Sequence, residues 1–432
     1  MQTLLRNAFF LLLITVSVAT AADPWIGQAV FYKEGAKAHV GDQERDVDLT
    51  NDLVSFPAIV EAVDGELLWL GRAWMYTSDV RTVDQALDYY SDLIRRSPSS
   101  LAYLWRGSAW LAKGELDKAI RDCTLDGESW SAHNTLGLIW QKKREFDKAI
   151  ECYTTAIRIN PKHFMAYGNR GGARAEKGQQ DLAIKDFNTA IELDPWYPKG
   201  YYNRGYTFKQ RGDFDKAIED FSQAIKLDPK YEDALISRGT AWHAKGDLNK
   251  AIEDYSKAIA LHPTSAMGYY NRGLSWCDKG NLDDAIKDFT EAISIESSFA
   301  IAYVGRGSAL REKGDFDGGM KDFMDAIRLD PKSPEGYTHI ARLQSTCSDP
   351  LFLNGDEAVS MATKACDLTS WKAWGKLDTL AAAYAECSDF ENAVKWQQAA
   401  IDLAKQESAK RGGRKRLELY ENRKPCREGV SK

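Results

Sequence analysis

Five glycines, Gly171, Gly205, Gly239, Gly273 and Gly307, stand 34 residues apart, and Gly178, Gly212, Gly246, Gly280 and Gly314 follow them seven residues later. A period of this length confines the chain to a solenoid of stacked supersecondary units, because one such unit cannot bury its own apolar face. That architecture offers a long surface for binding and directs the reading away from catalysis.

One unit carries the physics of most of the chain. From Lys199 to Tyr231 the apolar residues fall at helical spacing in two runs, separated by Arg211-Gly212-Asp213. The first run places Tyr201, Gly205 and Phe208 on one face. The second places Ala217, Phe221, Ala224 and Ile225 on an amphipathic stripe. Gly212 suits the left-handed end of the first helix, and Asp213 or Asp215 can cap the second. Pro229 ends that helix. Small residues at Gly205, Ala217 and Ala224 let the helices approach, with Phe221 filling the gap between them.

This pattern resembles the tetratricopeptide repeat over about three quarters of the chain. The resemblance implies a mainly α chain, a solenoid of helical hairpins wound as an α-α superhelix. Nine units are expected in residues 100–408, beginning near Ser100, Trp130, Phe164, Pro198, Glu232, Ala266, Ala300, Pro334 and Trp374. A lone half-repeat helix in residues 81–99, with Ala86, Tyr90 and Leu93, precedes them. Gly107 and Gly137 are only 30 residues apart, with Asp126-Gly127 between, so the second helix there is expected to be cut short. Ser345 to Asn354 reads as an insertion that bulges out as a loop.

Residues 1–22 read as a secretory signal peptide: Arg6, an apolar run from Ala8 to Ala19, then Ala19-Thr20-Ala21 before Asp23-Pro24. Cleavage is expected after Ala21 or Ala22, with an uncleaved anchor as the alternative; the first reading makes the protein exported, periplasmic or secreted. Residues 23–80 differ from the repeats in being rich in Val, Phe, Tyr and Trp between turn residues. Ala29–Tyr32, Ala38–Val40, Ala58–Val60 with Val63, Leu67–Leu70 and Trp74–Tyr76 read as five strands, and Asp64-Gly65 as a hairpin turn. The turn Val60-x-x-Val63-Asp64-Gly65 followed by two Trp strands is similar to bacterial SH3-like domains, which implies a small all-β barrel. Tyr32, Trp69 and Trp74 would fill its core or line a peptide or glycan groove. A rival parse makes Leu67 to Met75 a helix.

The formal net charge of −6 is unevenly placed. Residues 23–80 carry eleven acids against four bases, and residues 405–432 carry ten bases against four acids. The basic C-terminal tail, residues 409–432, reads first as a solvated helix and tail, with contact to phosphate or anionic lipid as the alternative. It lacks the interleaved aromatics of a nucleic-acid surface. The seven cysteines form no even framework. Cys123, Cys152 and Cys366 stand on apolar stripes. Cys347 and Cys387 end successive first helices, which pack too far apart for an unstrained disulfide.

Nothing in the sequence assembles a catalytic constellation. The six histidines are scattered, and no His or Cys pair has metal-ligand spacing. No catalytic residue, metal or cofactor is therefore assigned. A different pattern does recur. Arg106, Arg170, Arg204, Arg238, Arg272 and Arg306 precede the small residue, and Asp122, Asp186, Asp220, Asp254, Asp288 and Asp322 follow sixteen residues later. Where the Arg place holds Leu136, Ile340 or Leu380, the Asp place holds Cys152, Met361 or Trp396. Charge goes with charge and apolar with apolar, which implies contact and a structural ion pair.

The resemblance places the ligand surface on the concave face of the first helices, where the residue before that Arg can hydrogen-bond an extended peptide. Asn169, Asn203 and Asn271 hold that place here, with Lys199, Tyr202, Tyr206, Lys209 and Tyr270 in neighbouring groove places. An amide offers donor and acceptor together, as a peptide unit requires. In the alternative these Asn side chains only brace the neighbouring helix. The expectation is an exported, non-enzymatic scaffold that binds protein or peptide segments without nucleic acid or stable membrane insertion. Its competitor is an envelope protein that grips wall glycan or peptide with the front domain.

Overall fold

The computed structural model describes residues 81–427 apart from residues 126 and 128, and, before them, only the backbone of strands between residues 29 and 80. The expected signal peptide and the end of the chain lie outside the described residues. The described chain is mainly α. It divides into two compact units, Met1–Thr207 and Phe208–Lys432.

The first unit begins with eight short strands: β1 Ala29–Tyr32, β2 Lys37–Val40, β3 Gln43–Asp46, β4 Ala58–Ile59, β5 Ala62–Asp64, β6 Leu67–Trp69, β7 Trp74–Tyr76 and β8 Val80–Thr82. They pair in two antiparallel sheets, β4-β1-β8 and β3-β2-β7-β6-β5. The described strands therefore do not close into the single SH3-like barrel that the resemblance implies. The helical parse of Leu67 to Met75 is also overturned, since Leu67 pairs with Tyr76 across two strands. The sequence reading misses β3 and β8. The latter runs into helix α1, Val83–Arg96, through a capping box in which Thr82 and Gln85 satisfy each other's backbone N–H.

Helical hairpins follow in the same unit: α2 Ser100–Lys113 with α3 Leu116–Thr124, α4 Trp130–Lys142 with α5 Phe146–Ile159, and α6 Phe164–Glu176 with α7 Gln180–Leu193. Helix α3 has nine residues where α5 and α7 have fourteen. Helix α8, Pro198–Gln210, contains the division between the units.

The second unit continues the hairpins with α9 Phe214–Leu227, α10 Glu232–Ala244, α11 Leu248–Leu261, α12 Ala266–Asp278, α13 Leu282–Ile295, α14 Ala300–Glu312 and α15 Phe316–Leu329. Then come α16 Pro334–Thr346, α17 Gly355–Leu368, α18 Trp374–Glu386, α19 Phe390–Leu403 and α20 Glu407–Glu421. Gly178, Gly212, Gly246, Gly280 and Gly314 end first helices at positive φ. Arg144 and Ser388 take the same left-handed turn without glycine, at φ 62° and 61°, which costs roughly 1–2 kcal/mol each.

Close packing within a hairpin depends on the other glycine series. A Cβ on Gly171 would lie 2.7 Å from the Phe187 ring, and one on Gly273 would lie 2.8 Å from the Phe289 ring. Phe187 and Phe289 are almost wholly buried, and each ring contributes roughly 1.5–3 kcal/mol by leaving water. Gly171→Ala is expected to destabilise by about 1–3 kcal/mol, because a packed core accepts no added methyl there. Urea unfolding measures it, and an unchanged midpoint would refute the packing argument.

Three local expectations need correction. Asp213 is the N-cap of α9 but makes no side-chain cap bond, whereas Asp247, Asp315 and Asp389 do cap their helices. Asp215 does not cap either; it pairs with Lys245 of the next hairpin. The insertion does not bulge from end to end. Ser345 and Thr346 stay buried in α16, Asn354 N–H bonds the Gln344 carbonyl at 2.9 Å, and Phe352 packs on Phe316. Only Leu351, 90% exposed, stands clear as a large apolar side chain. The basic segment holds the expected helix, α20, but that helix is packed where a solvated one was expected. Tyr420 is fully buried, and Arg416 binds Asp378 of α18 at 2.6 Å, so α20 covers the last hairpin. Cys347 and Cys387 form no disulfide.

Candidate functional site

The Arg and Asp series meet in the packing between helices. In the first unit Arg106 Nε donates to Asp122 at 2.7 Å and Arg170 Nη2 to Asp186 at 2.8 Å. In the second, Arg238, Arg272 and Arg306 grip Asp254, Asp288 and Asp322 through two nitrogens each, at 2.7 to 2.8 Å. The carboxylate side chains of these pairs are 4–8% exposed and the guanidinium side chains 13–22%. The bonded carboxylate raises the Arg106, Arg272 and Arg306 pKa values. Arg204 and Asp220 fall in different units. Asp220 is buried, and Arg204 donates to Asn188 at 2.7 Å.

Each arginine makes a further bond that the sequence reading misses. Its Nη1 reaches back into the preceding hairpin: Arg170 to Thr154, Arg238 to Ser222, Arg272 to Ser256 and Arg306 to Thr290, at 3.0 to 3.3 Å. The signal was present, because these hydroxyls lie sixteen residues before the Arg, and Ile120 and Met324 replace them before Leu136 and Ile340. One guanidinium thus ties three helices.

A second set of residues faces outward from the first helices of the first unit. Leu138, Gln141 and Lys142 of α4, Gly168, Asn169, Gly172 and Glu176 of α6, and Lys199 and Asn203 of α8 line an open depression of about 430 Å³. The structure thus brings together Asn169, Lys199 and Asn203 from the sequence-derived set. Asn169 Nδ2 also donates to Asn134 Oδ1 at 3.1 Å, so bracing and lining are both met in one side chain. Tyr202, which lies between Lys199 and Asn203 on α8, and Tyr206 one turn on are not among the lining residues; their ring centroids are 6.2 Å apart.

The remaining three belong to the second unit. Lys209 is half-buried, and burial lowers its ammonium pKa. Tyr270 is largely a packing residue, its ring lying 5.8 Å from Phe289 and 5.4 Å from Phe299, and burial raises its pKa. Asn271 is half-buried on α12 beside it.

Six lining residues escaped the sequence reading: Leu138, Gln141, Lys142, Gly168, Gly172 and Glu176. Gly168 and Gly172 occupy the places that Tyr202 and Tyr206 hold one period later. Replacing two rings by hydrogens opens the depression. Lys143 and Lys177 pair with Asp117 and Asp147 along the hairpin ends, whereas Lys142, Glu176 and Lys199 enter no ion pair among the described residues.

Among the described residues no cluster of His, Cys, Asp and Glu could hold a metal ion, and no helix is long and apolar enough to cross a membrane.

Three family models match the chain. One described as tetratricopeptide repeat matches residues 130–163 and 198–231, one described as TPR repeat matches 171–210 and 239–276, and a further tetratricopeptide repeat model matches 79–123 and 270–334. No curated protein sequence matches. Among solved structures, MamA is 30% identical with a TM-score of 0.36, over 38% of this chain and 95% of its own. Yeast Tom70 is 17% identical with a TM-score of 0.47, over 79% of this chain and 92% of its own. YrrB, described as a TPR protein with an unusual peptide-binding site, is 20% identical with a TM-score of 0.37, over 42% of this chain and 94% of its own.

Proposed function

The chain belongs to the tetratricopeptide-repeat family, and we propose that it is a non-enzymatic, exported scaffold that binds extended protein segments on its first helices. The observation that carries this reading is the depression between α4, α6 and α8. There Gln141, whose Oε1 accepts from Tyr153 at 2.9 Å, lines with Asn169 and Asn203 an open depression of about 430 Å³, within the size range of ligand sites. An extended segment presents alternating N–H and C=O groups, and a row of carboxamides supplies the matching acceptors and donors. Export rests on the residues before Asp23, and the strand-rich front segment is carried along with the repeats.

A displayed library of extended peptides, selected on the full chain, tests the proposal. Asn169→Ala with Asn203→Ala should weaken the selected peptides about tenfold, since each lost hydrogen bond is worth about 0.5–1.5 kcal/mol. Peptides that bind the double variant as well as the parent would sink the assignment. Binding retained by residues 23–80 alone would point instead to the envelope-binding alternative.

A further inference from the structure

Gly168 and Gly172 lie in the interior of α6, where glycine is a poor helix former. Packing explains their neighbour Gly171, whose added Cβ would collide with Phe187 at 2.7 Å. It does not explain these two. A Cβ on Gly168 would sit 3.5 Å from Tyr197, and one on Gly172 would sit 3.7 Å from Gln141, both ordinary contacts. The protein therefore carries two weak helix positions that its own interior does not require, and both open into the same depression. Glycine at such a place lets another backbone approach the helix closely.

The charges around the depression give it a direction. Lys199 stands at its α8 end, near the helix start, while Lys142 and Glu176 are the last residues of α4 and α6. None of the three is neutralised within the described residues. At one end the lining holds an ammonium and a carboxylate, with no net charge; at the other Lys199 is the one charged lining residue. Between them lie Asn169 and Asn203, with the aliphatic Leu138 at the side.

We propose that the depression is a discrete subsite in which the main chain of an extended peptide passes directly over Gly168 and Gly172, with an acidic side chain set against Lys199. This deepens the function proposed above and rests on it. The contact is made by three successive first helices, α4, α6 and α8. Specificity comes from two sources: room for a backbone over α6, and one positive charge that selects an acidic residue at a fixed distance along the segment. A bulky side chain on α6 would fill the space before any ligand arrived.

The experiment uses the full chain and a panel of synthetic peptides of one length, carrying an acidic, neutral or basic side chain at the same place. Gly172→Ala and Gly168→Ala should unfold at the same or higher urea concentration than the parent, because the methyl fits and the helix gains. Gly172→Leu should keep its fold and lose binding of the acidic peptide by about tenfold or more. Lys199→Glu should invert the preference, favouring the basic peptide. Retained binding in Gly172→Leu would overturn the subsite, and unchanged charge preference in Lys199→Glu would overturn its direction. If the Asn169 and Asn203 variants lose binding while the glycine variants keep it, this inference falls and the peptide-binding reading stands. If all of them bind as the parent does, both fall together.

Discussion

Arg272→Leu is expected to destabilise the second unit by about 3–5 kcal/mol, the cost of stranding one partner of a buried ion pair. Asp288 keeps 5% of its side chain exposed and receives both guanidinium bonds at 2.7 Å. The substitution also removes the bond from Arg272 to Ser256 at 3.1 Å, so it loosens the hairpin and its junction with the preceding one. An unpaired buried carboxylate escapes part of the penalty by taking up a proton. Its folded pKa then lies above the unfolded value, so the stabilising protonation is present at low pH and lost as pH rises. The deficit of the variant should therefore shrink on acidification. Adding Asp288→Cys copies the Leu136 and Cys152 hairpin of the same chain, in which both residues join one apolar cluster. The double variant should recover much of the loss. Urea unfolding of the two singles and the double gives the coupling energy. Simple additivity would show that the pairing has no energetic content.

The repeats were legible in the sequence because each unit solves the same packing problem with the same few residues. Gly171 with Phe187 and Gly273 with Phe289 are single contacts repeated every 34 residues, so periodicity alone exposes them. The Arg and Asp series was legible for the same reason, together with its apolar exceptions. The site was less so. Spacing marks which residues face outward, but depth depends on what is missing, and Gly168 and Gly172 read as ordinary small residues until α4 and α8 stand on either side. Tyr270 shows the converse: its place in the period suggests a groove, while Phe299 from the following connection draws the ring into packing. The front segment was hardest. Short strands with few residues each carry little periodic signal, and closure into a barrel depends on pairings that no local pattern records.

Acid should destabilise both units before their carboxylates begin to titrate. His163 is the N-cap of α6: its Nδ1 accepts the Ala166 N–H at 3.2 Å, and its ring lies 4.2 Å from the Trp130 ring. Burial lowers its pKa to about 4. His339 stacks on Phe323 at 4.9 Å, with Ser308 Oγ 3.5 Å from Nδ1. Burial, together with the positive charges of Arg311, Arg342 and Lys376, lowers its pKa to about 3. Both folded values lie below the roughly 6.5 of an unfolded histidine, so the unfolded chain binds these protons first. Their contribution is complete above pH 6.5 and is lost as pH falls towards 4 for His163 and 3 for His339. The slope approaches about 1.4 kcal/mol per pH unit for each group, or about 2 kcal/mol each between pH 6 and pH 4.5. His163→Asn keeps a capping acceptor that does not protonate, so it should flatten the pH dependence of the first unit while changing its stability little at pH 7. His339→Gln should do the same for the second unit, at some cost in stacking on Phe323. Urea midpoints of the parent and both variants at pH 7, 6 and 5 measure the effect directly. A parent whose stability stays level from pH 6.5 to pH 5, or variants that track it without divergence, would show that neither imidazole is held neutral by the fold.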